Sequence, residues 1–151
     1  MEEIERARRY GSGMAVIMAD IDQFKRLNDE FGHLLGDEVL RQVSSIFHQQ
    51  VRKIDVVCRY GGEEFALLLT QTNAEQAMLV AEKLRKMVEA WQFPGVPRMI
   101  TISAGVAAFP EHGRTRDEIV RAADDGLYSA KQTGRNRVCL AAPANSASAG
   151  R

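Results

Sequence analysis

Short apolar runs alternate along the chain with longer segments whose apolar residues follow a helical spacing. Continuous apolar runs at 14–18 and 65–69 predict buried strands. A run at 55–58, separated from the second of these by a Gly-Gly pair, predicts the other strand of a hairpin. Alternation from 99 to 107 and a short apolar run at 137–140 predict two more strands.

The remaining segments carry apolar residues every three or four positions, which predicts helices. We expect these helices at 24–31, 37–52 and 74–91, and directly after the capping residue Thr115. A charged helix is expected at 2–10. Helices interleaved with strands around a hairpin predict an α/β (α+β) domain with a mixed or antiparallel sheet of about five strands flanked by helices.

The composition is that of one soluble globular domain. The 151 residues carry 20 basic and 20 acidic side chains, a balance that disfavours nucleic-acid binding. No apolar run reaches the length of a membrane span and no signal peptide is visible, so we expect a cytoplasmic chain without membrane contact. Cys58 and Cys139 are interpreted as buried small hydrophobic residues. We expect residues 1–140 to form the domain and 141–151 a disordered tail.

The most informative stretch is the predicted turn at Gly61 and Gly62, which Glu63 and Glu64 follow. A tight hairpin turn needs positive φ at both central residues, and glycine reaches it without a steric penalty. The bare backbone leaves room for a bulky anionic group. Two carboxylates about 4 Å apart repel each other by roughly 4 kcal/mol at an effective dielectric constant of about 20, and a cation such as Mg²⁺ reverses that sign. A solvated turn with two exposed acids explains these residues equally well.

A third carboxylate, Asp20, comes at the end of the first buried strand. A buried strand holds such a group rigidly, which suits a role in chemistry. The competing interpretation is that Asp20 caps the helix predicted at 24–31. The residues alone leave both roles open.

Several short motifs, taken in order and spacing, closely resemble the GGDEF family, the diguanylate cyclases. The resemblance covers about residues 15–140, and its motifs are Asp20-Ile21-Asp22-Gln23-Phe24-Lys25, Asn28-Asp29, Phe31-Gly32-His33, Gly36-Asp37, Arg59 to Phe65 in a Gly-Gly-Glu-Glu-Phe variant, Ala123-Asp124, Leu127-Tyr128, Ala130-Lys131 and Gly134-Arg135-Asn136. It implies a ferredoxin-like fold similar to the palm of nucleotide cyclases and polymerases. It also implies that two facing domains, in a transient homodimer, each bind one GTP and join the two into cyclic di-GMP with release of pyrophosphate.

The resemblance implies the metal-binding and catalytic roles. Asp20 and Glu63 are expected to hold Mg²⁺, or Mn²⁺, with the main-chain carbonyl of Ile21 as a further ligand. Glu64 matches a position expected to help deprotonate the attacking ribose 3′-hydroxyl. Stabilising a second metal ion is an equally good role for Glu64. Asp22 is expected to have a structural role.

Side chains that bind the substrate are also implied. Asn28 and Asp37 match positions that read guanine, since a carboxylate can accept from guanine N1 and N2 together. Lys131 and Arg135 match positions that bind phosphate. Helix capping is the alternative role for Asp37, and favourable placement at a helix C-terminus is the alternative for the two basic residues.

Main-chain groups are expected to contact the nucleotide as well. The amides of residues 22–25, which include Phe24 and Lys25, open a helix and can bind phosphate without any side chain. Gly61 and Gly62 would let the nucleotide approach the main chain of the turn.

Arg52 and Asp55 form an Arg-x-x-Asp motif ahead of the turn, which matches the inhibitory product site of the family. Arginine can stack on guanine and bind phosphate, while the aspartate accepts from the guanine edge. Lys83 or Arg85, on the neighbouring helix, would add a basic contact. The alternative is a surface ion pair worth well under about 1 kcal/mol.

Two departures from the family pattern affect these expectations. Residues 1–13 lack the Asp-x-Leu-Thr-Gly-Leu-x-Asn-Arg-Arg pattern that usually precedes the first strand, so we interpret the N-terminal family segment as truncated. No sensor or receiver domain is visible, so we expect one in a longer protein. The second candidate function is a GGDEF module that binds GTP or cyclic di-GMP with little or no catalysis. The intact glycines and acids favour catalysis.

Overall fold

The computed structural model describes residues 13–143. Its elements are β1 (Met14–Ile21), α1 (Phe24–Phe31), α2 (His33–Gln50), β2 (Val56–Arg59), β3 (Glu64–Thr70), α3 (Ala74–Ala90), β4 (Ile102–Phe109), α4 (Arg116–Gln132) and β5 (Val138–Leu140). The helix predicted at 2–10 and most of the predicted tail at 141–151 lie outside the described residues. Within residues 13–143, no helix has the length and apolar character needed to cross a membrane.

The strands form one mixed sheet of five, in the order β2-β3-β1-β4-β5, which confirms the predicted fold class. β1 is antiparallel to both of its neighbours, and β5 runs parallel to β4. Every residue of β1 is buried, as expected for the central strand. Asp20 lies opposite Glu64 on one side and Ser103 on the other. This register brings the end of the central strand next to the tip of the β2–β3 hairpin.

The two faces of the sheet pack against different helices. Ile17 and its neighbours on one face belong to a core shared with α1, α2 and α3. Met18 and its neighbours on the other face belong to a second core shared with α4. α4 approaches β4 closely, because a Cβ at Gly105 would lie 2.0 Å from the carbonyl oxygen of Ala123. This close contact fixes the helix whose last turn carries Lys131 beside the end of β1.

α2 begins four residues earlier than predicted. Residues 33–36, expected to be a loop, form its first turn, because Gly32 at φ 91° ends α1 and begins α2 with no further linker. Asp37 therefore lies within the helix rather than in its first turn. The capping role considered for Asp37 is thus wrong.

Two other expectations are corrected. β4 begins at Ile102 rather than at residue 99, because its ladder with β1 ends at the pair formed by Ile21 and Ile102. Cys58 is exposed rather than buried, since β2 is an edge strand of the sheet. Cys139 is half-buried.

Candidate active site at the hairpin tip

Residues 60–63 connect β2 to β3 at the tip of the hairpin. The amides of Tyr60 and Gly61 both donate to the carbonyl oxygen of Glu64, at 2.8 and 3.4 Å. Neither Gly61 nor Gly62 takes the left-handed φ that was predicted for both. That prediction is wrong because the connection has four residues, and a loop of this length closes around an ordinary turn.

The two glycines nevertheless leave the tip bare. A Cβ added at Gly62 would meet nothing within 4 Å, and one added at Gly61 would have the Glu64 side chain as its nearest neighbour, at 3.7 Å. Neither the backbone conformation nor the packing of the described residues requires glycine here. Glycine therefore provides open space beside the main chain of the tip, into which a ligand can move.

Arg59 holds the shape of the tip. Its Nε and Nη2 atoms both donate to the carbonyl oxygen of Gly62, at 3.1 and 2.8 Å. The tip is also tied to the central strand, since the Ile21 amide donates to the carbonyl oxygen of Glu63 at 3.3 Å. The Glu63 main chain is thus fixed from both sides, although the Glu63 side chain is only half-buried.

Asp20 is a buried carboxylate at the end of β1. Burial raises the pKa of Asp20 to about 6, and the nearby Glu63 and Glu64 add to that rise. The Lys131 ammonium opposes it, because its Nζ donates a hydrogen bond to Asp20 Oδ2. Lys131, predicted to bind phosphate, is therefore paired with Asp20 in this structure.

Glu64 borders a cleft of about 390 Å³ that Tyr60, Arg121 and Asp124 also line. Its pKa is raised by burial and by the charge of Asp124, while Lys131 lowers it. A carboxylate whose pKa lies closer to neutral pH is a better proton acceptor, which suits a general base.

The donor atoms of the predicted metal ligands suit a hard divalent cation. Asp20, Glu63 and the Ile21 carbonyl offer oxygen atoms alone, the donors that Mg²⁺ and Mn²⁺ prefer. In this structure the Lys131 ammonium contacts Asp20 and supplies a positive charge where the cation would bind. Among residues 13–143, no three His, Cys, Asp or Glu side chains are gathered as a ready metal site. The predicted ligand set stays a prediction.

Asn28 on α1 and Asp37 on α2 were predicted to read guanine. Asn28 Oδ1 is buried and has no hydrogen-bond partner among the described residues. A Cβ at Gly36 would lie 1.8 Å from that atom, so glycine is required for the Asn28 side chain to lie where it does. Asp37, the next residue, is exposed. An unsatisfied acceptor thus lies near an accessible carboxylate, and both can accept from a donor-rich ligand edge.

The predicted main-chain phosphate site is smaller than expected. The Asp22 amide donates to the carbonyl oxygen of Thr101 at 2.9 Å and is not available to a ligand. The Asp22 carboxylate accepts from the Thr101 and Ser103 hydroxyls at 2.7 and 2.6 Å, which is the structural role expected of it. The amides of Phe24 and Lys25 at the start of α1 stay as predicted contacts.

Arg135 follows the end of α4 and is exposed, with φ at 63°. Its amide donates to the carbonyl oxygen of Ala130 at 2.9 Å, so the backbone at this residue is anchored to the helix. Arg135 comes four residues after Lys131 in the sequence. Its role in binding phosphate stays a prediction.

Arg52 and Asp55 are paired with each other at the far end of the hairpin. Arg52 donates twice to the Asp55 carboxylate, at 3.1 and 3.0 Å, and the Thr70 amide donates to the same group at 3.1 Å. Burial would raise the pKa of Asp55, but these hydrogen bonds outweigh it and lower the pKa. The Asp55 side chain is only 3% exposed, so this is more than the surface ion pair considered above.

The Arg52–Asp55 pair borders a second cleft, of about 250 Å³. Gln76 and Val80 of α3 line the same cleft, and Lys83 follows them on that helix with an exposed side chain. The pair, the cleft and Lys83 thus lie on one side of the domain. Their joint role as a product site stays a prediction.

Two contributors to the site were given no role from the sequence. Asp124 influences the pKa of Glu64, and it lies seven residues before Lys131 on α4. That spacing puts both side chains on one face of the helix and could have indicated a shared site. Arg59 belongs to the motif from Arg59 to Phe65, but no pattern in the sequence predicts its hydrogen bonds to the Gly62 carbonyl oxygen.

Comparison with known proteins identifies the family. A family model described as diguanylate cyclase, GGDEF domain, matches residues 1–137. The chain therefore belongs to the GGDEF domain family of diguanylate cyclases.

Individual relatives belong to the same family. Diguanylate cyclase DosC of Escherichia coli (strain K12) is 40% identical over 141 residues, which are 91% of this chain but only 30% of DosC. The active GGEEF domain of a diguanylate cyclase from Vibrio cholerae is 35% identical with a TM-score of 0.89, over 93% of this chain and 90% of that domain. The GGDEF domain of DgcB from Caulobacter crescentus, solved in complex with c-di-GMP, is 31% identical with a TM-score of 0.83, over 92% and 84% of the two chains.

Proposed function

We propose that this chain is the catalytic domain of a diguanylate cyclase, which converts two GTP molecules into cyclic di-GMP and two pyrophosphates. The observation that carries the proposal is the bare tip at Gly61 and Gly62 beside the carboxylates of Asp20, Glu63 and Glu64. The fold does not need glycine at these positions, so a ligand that approaches the main chain is the best reason for it. The Asp20 carboxylate, whose pKa the charges of Glu63 and Glu64 help to raise, calls for a cation, which a nucleotide triphosphate commonly brings with it.

Guanine would be recognised by Asn28 of α1 and Asp37 of α2. The buried Asn28 Oδ1 and the Asp37 carboxylate are acceptors, and the guanine edge presents donors at N1 and N2. An adenine at this place would leave these acceptors unpaired, which costs about 1–3 kcal/mol for each buried group. This difference supports GTP, rather than ATP, as the substrate.

The phosphates would lie between the hairpin tip and the start of α1. Asp20, Glu63 and the Ile21 carbonyl would hold Mg²⁺ or Mn²⁺, and the bound ion would neutralise charge on the phosphates. The amides of Phe24 and Lys25 would bind phosphate oxygens at the start of the helix.

Lys131 and Arg135, at the end of α4, would bind the phosphates from the other side. Both side chains are cations that can reach beyond the end of the helix, where phosphate oxygens need positive partners. Together with the main-chain groups they would hold the triphosphate in line for the transfer.

The bond-forming step needs two copies of the domain. The ribose 3′-oxygen of one GTP attacks the α-phosphorus of the other, the α–β phosphate bond breaks and pyrophosphate leaves. Glu64 would accept the 3′-hydroxyl proton, or would help hold a second metal ion. A transient homodimer of these domains, brought together by a sensor or receiver domain in a longer cytoplasmic protein, would align the two nucleotides.

Cyclic di-GMP would inhibit the enzyme at Arg52, Asp55 and Lys83. The GGDEF domain of DgcB was solved in complex with this molecule, which supports a product site in a domain of this fold. Here Asp55 already has its partners in Arg52 and Thr70. Product binding would therefore have to share or replace the Arg52 contacts, and its affinity would include the energy of that exchange.

The second candidate is a module that binds GTP or cyclic di-GMP without turnover, and a turnover assay separates the two functions. Purified protein with GTP and Mg²⁺ should yield cyclic di-GMP by liquid chromatography and mass spectrometry, and Glu63→Gln should yield none. Calorimetry with a non-hydrolysable GTP analogue shows whether both proteins bind nucleotide. Binding without product in the parent would favour the module, and full turnover by Glu63→Gln would remove Glu63 from the metal site.

A further inference from the structure

Lys131 has two candidate binding partners in this domain. Its Nζ donates a hydrogen bond to Asp20 Oδ2, yet its position at the end of α4 also suits a phosphate group. The ammonium group has three hydrogen-bond donors, and a donor that turns to a triphosphate is lost to the buried carboxylate. Occupation of one position must therefore weaken occupation of the other.

The two side chains of this ion pair differ in their freedom to move. Asp20 is only 5% exposed and is fixed by the central strand, whereas the Lys131 side chain is 36% exposed. Lysine has a flexible four-carbon stem, so its ammonium can move by several ångströms through rotamer changes alone. The pair can therefore open by movement of Lys131 without movement of the strand.

We propose that Lys131 is a place-holding cation that makes metal binding at Asp20 depend on the nucleotide. In the empty domain its ammonium neutralises Asp20, so a divalent ion must compete with a tethered positive charge. When a triphosphate binds, it attracts the ammonium and leaves Asp20 to the metal ion. Metal and nucleotide then strengthen each other's binding, and the coupling is reciprocal. This inference rests on the proposed function, because it assumes that Asp20 is a metal ligand.

Binding of Mn²⁺ to the nucleotide-free protein tests the inference. Unbound Mn²⁺ is measured by electron paramagnetic resonance during titration of the parent and of Lys131→Met, which keeps the length of the side chain but not its charge. Lys131→Met should bind Mn²⁺ at least about tenfold more tightly, since a positive charge within a few ångströms of the ion has gone. Lys131→Gln, which keeps a hydrogen-bond donor to Asp20, should show the same direction and guards against poor folding of the methionine variant. Equal or weaker Mn²⁺ binding in both variants would overturn the proposal.

Arg121→Met is the matched control, because it removes one positive charge from α4, at the cleft that Glu64 borders, but not the group bonded to Asp20. Its Mn²⁺ affinity should stay within about twofold of the parent. An increase as large as that of Lys131→Met would mean that overall charge, rather than the Asp20 contact, controls binding, and would overturn the proposal.

Two further measurements separate this inference from the proposed function. A non-hydrolysable GTP analogue should tighten Mn²⁺ binding much more in the parent than in Lys131→Met, and equal coupling in both would contradict the place-holding role. Asp20→Asn should abolish Mn²⁺ binding in the absence of the analogue. If Asp20→Asn binds Mn²⁺ as the parent does, the metal assignment itself is wrong. If Asp20→Asn fails to bind but Lys131→Met matches the parent, only the inference about Lys131 is wrong.

Discussion

Replacing Asp20 by asparagine should stabilise the metal-free domain above pH 6, although it removes a proposed metal ligand. Burial raises the pKa of Asp20 to about 6 from a usual value of 3.8. The folded protein therefore holds this proton more tightly than the unfolded chain does. Stability falls as the pH rises from about 4 to about 6 and stays lower above that range, because the buried carboxylate must then be ionised.

The expected size of the effect follows from this difference. A rise of about two pH units corresponds to a penalty of about 3 kcal/mol in the free energy of unfolding above pH 6. The contribution of Lys131 is already contained in this pKa, and asparagine, like the protonated carboxyl group, carries no charge. We therefore expect a gain of up to about 3 kcal/mol for Asp20→Asn at pH 8, which is roughly 6–12 °C in melting temperature.

Urea unfolding in EDTA, without nucleotide, at pH 4.5 and pH 8 measures this gain. Asp20→Asn should be more stable than the parent at pH 8, and the difference should shrink at pH 4.5. Asp55→Asn is the control with the opposite sign, because hydrogen bonds lower the pKa of Asp55 and its charge stabilises the fold. That stabilisation is present above the unfolded pKa and is lost as the pH falls. An Asp20→Asn protein no more stable than the parent at pH 8, or equally stabilised at both pH values, would refute the reasoning.

Three further changes test other parts of the structure. Gly62→Ala should leave the melting temperature within about 2 °C of the parent, since the added Cβ meets no atom within 4 Å. It should weaken binding of a GTP analogue about tenfold or more, and unchanged affinity would contradict a role for the bare tip. Arg59→Ala should lower kcat about tenfold with less effect on KM, and Arg59→Lys should restore part of it; a change in KM alone would argue against a positioning role. Arg52→Ala should lower the free energy of unfolding by about 1–3 kcal/mol, because Asp55 loses its charged partner. Urea unfolding measures this change, and unchanged stability would mean that the pair contributes little.

Periodicity was sufficient to predict the architecture. The apolar run at 14–18 identified the central strand, and the embedded hairpin correctly predicted a mixed sheet. These features depend on local sequence, since strand burial and helical spacing are both visible within about ten residues. The start of α2 at His33 differs from the prediction, because Gly32 is a direct junction between two helices rather than the beginning of a loop.

The details of the site depend on contacts that are distant in sequence. The pair of Lys131 and Asp20 spans 111 positions, and no local pattern predicts it. The contact of Asn28 with Gly36 depends on the angle between α1 and α2, which no local pattern predicts. The spacing of Arg52 and Asp55 was visible, but the burial of Asp55 was not, because it comes from the neighbouring strand.

The most direct test of the account is the order of the reaction in protein concentration, measured together with its stoichiometry. Purified protein, at concentrations where ultracentrifugation shows a monomer, is incubated with saturating GTP and Mg²⁺, and cyclic di-GMP and pyrophosphate are both quantified. We predict two pyrophosphates for each cyclic di-GMP, and a rate that rises about fourfold when the protein concentration doubles, because two domains must meet. No cyclic di-GMP from a folded protein that binds GTP, or a rate strictly proportional to the concentration of a monomer, would contradict the account.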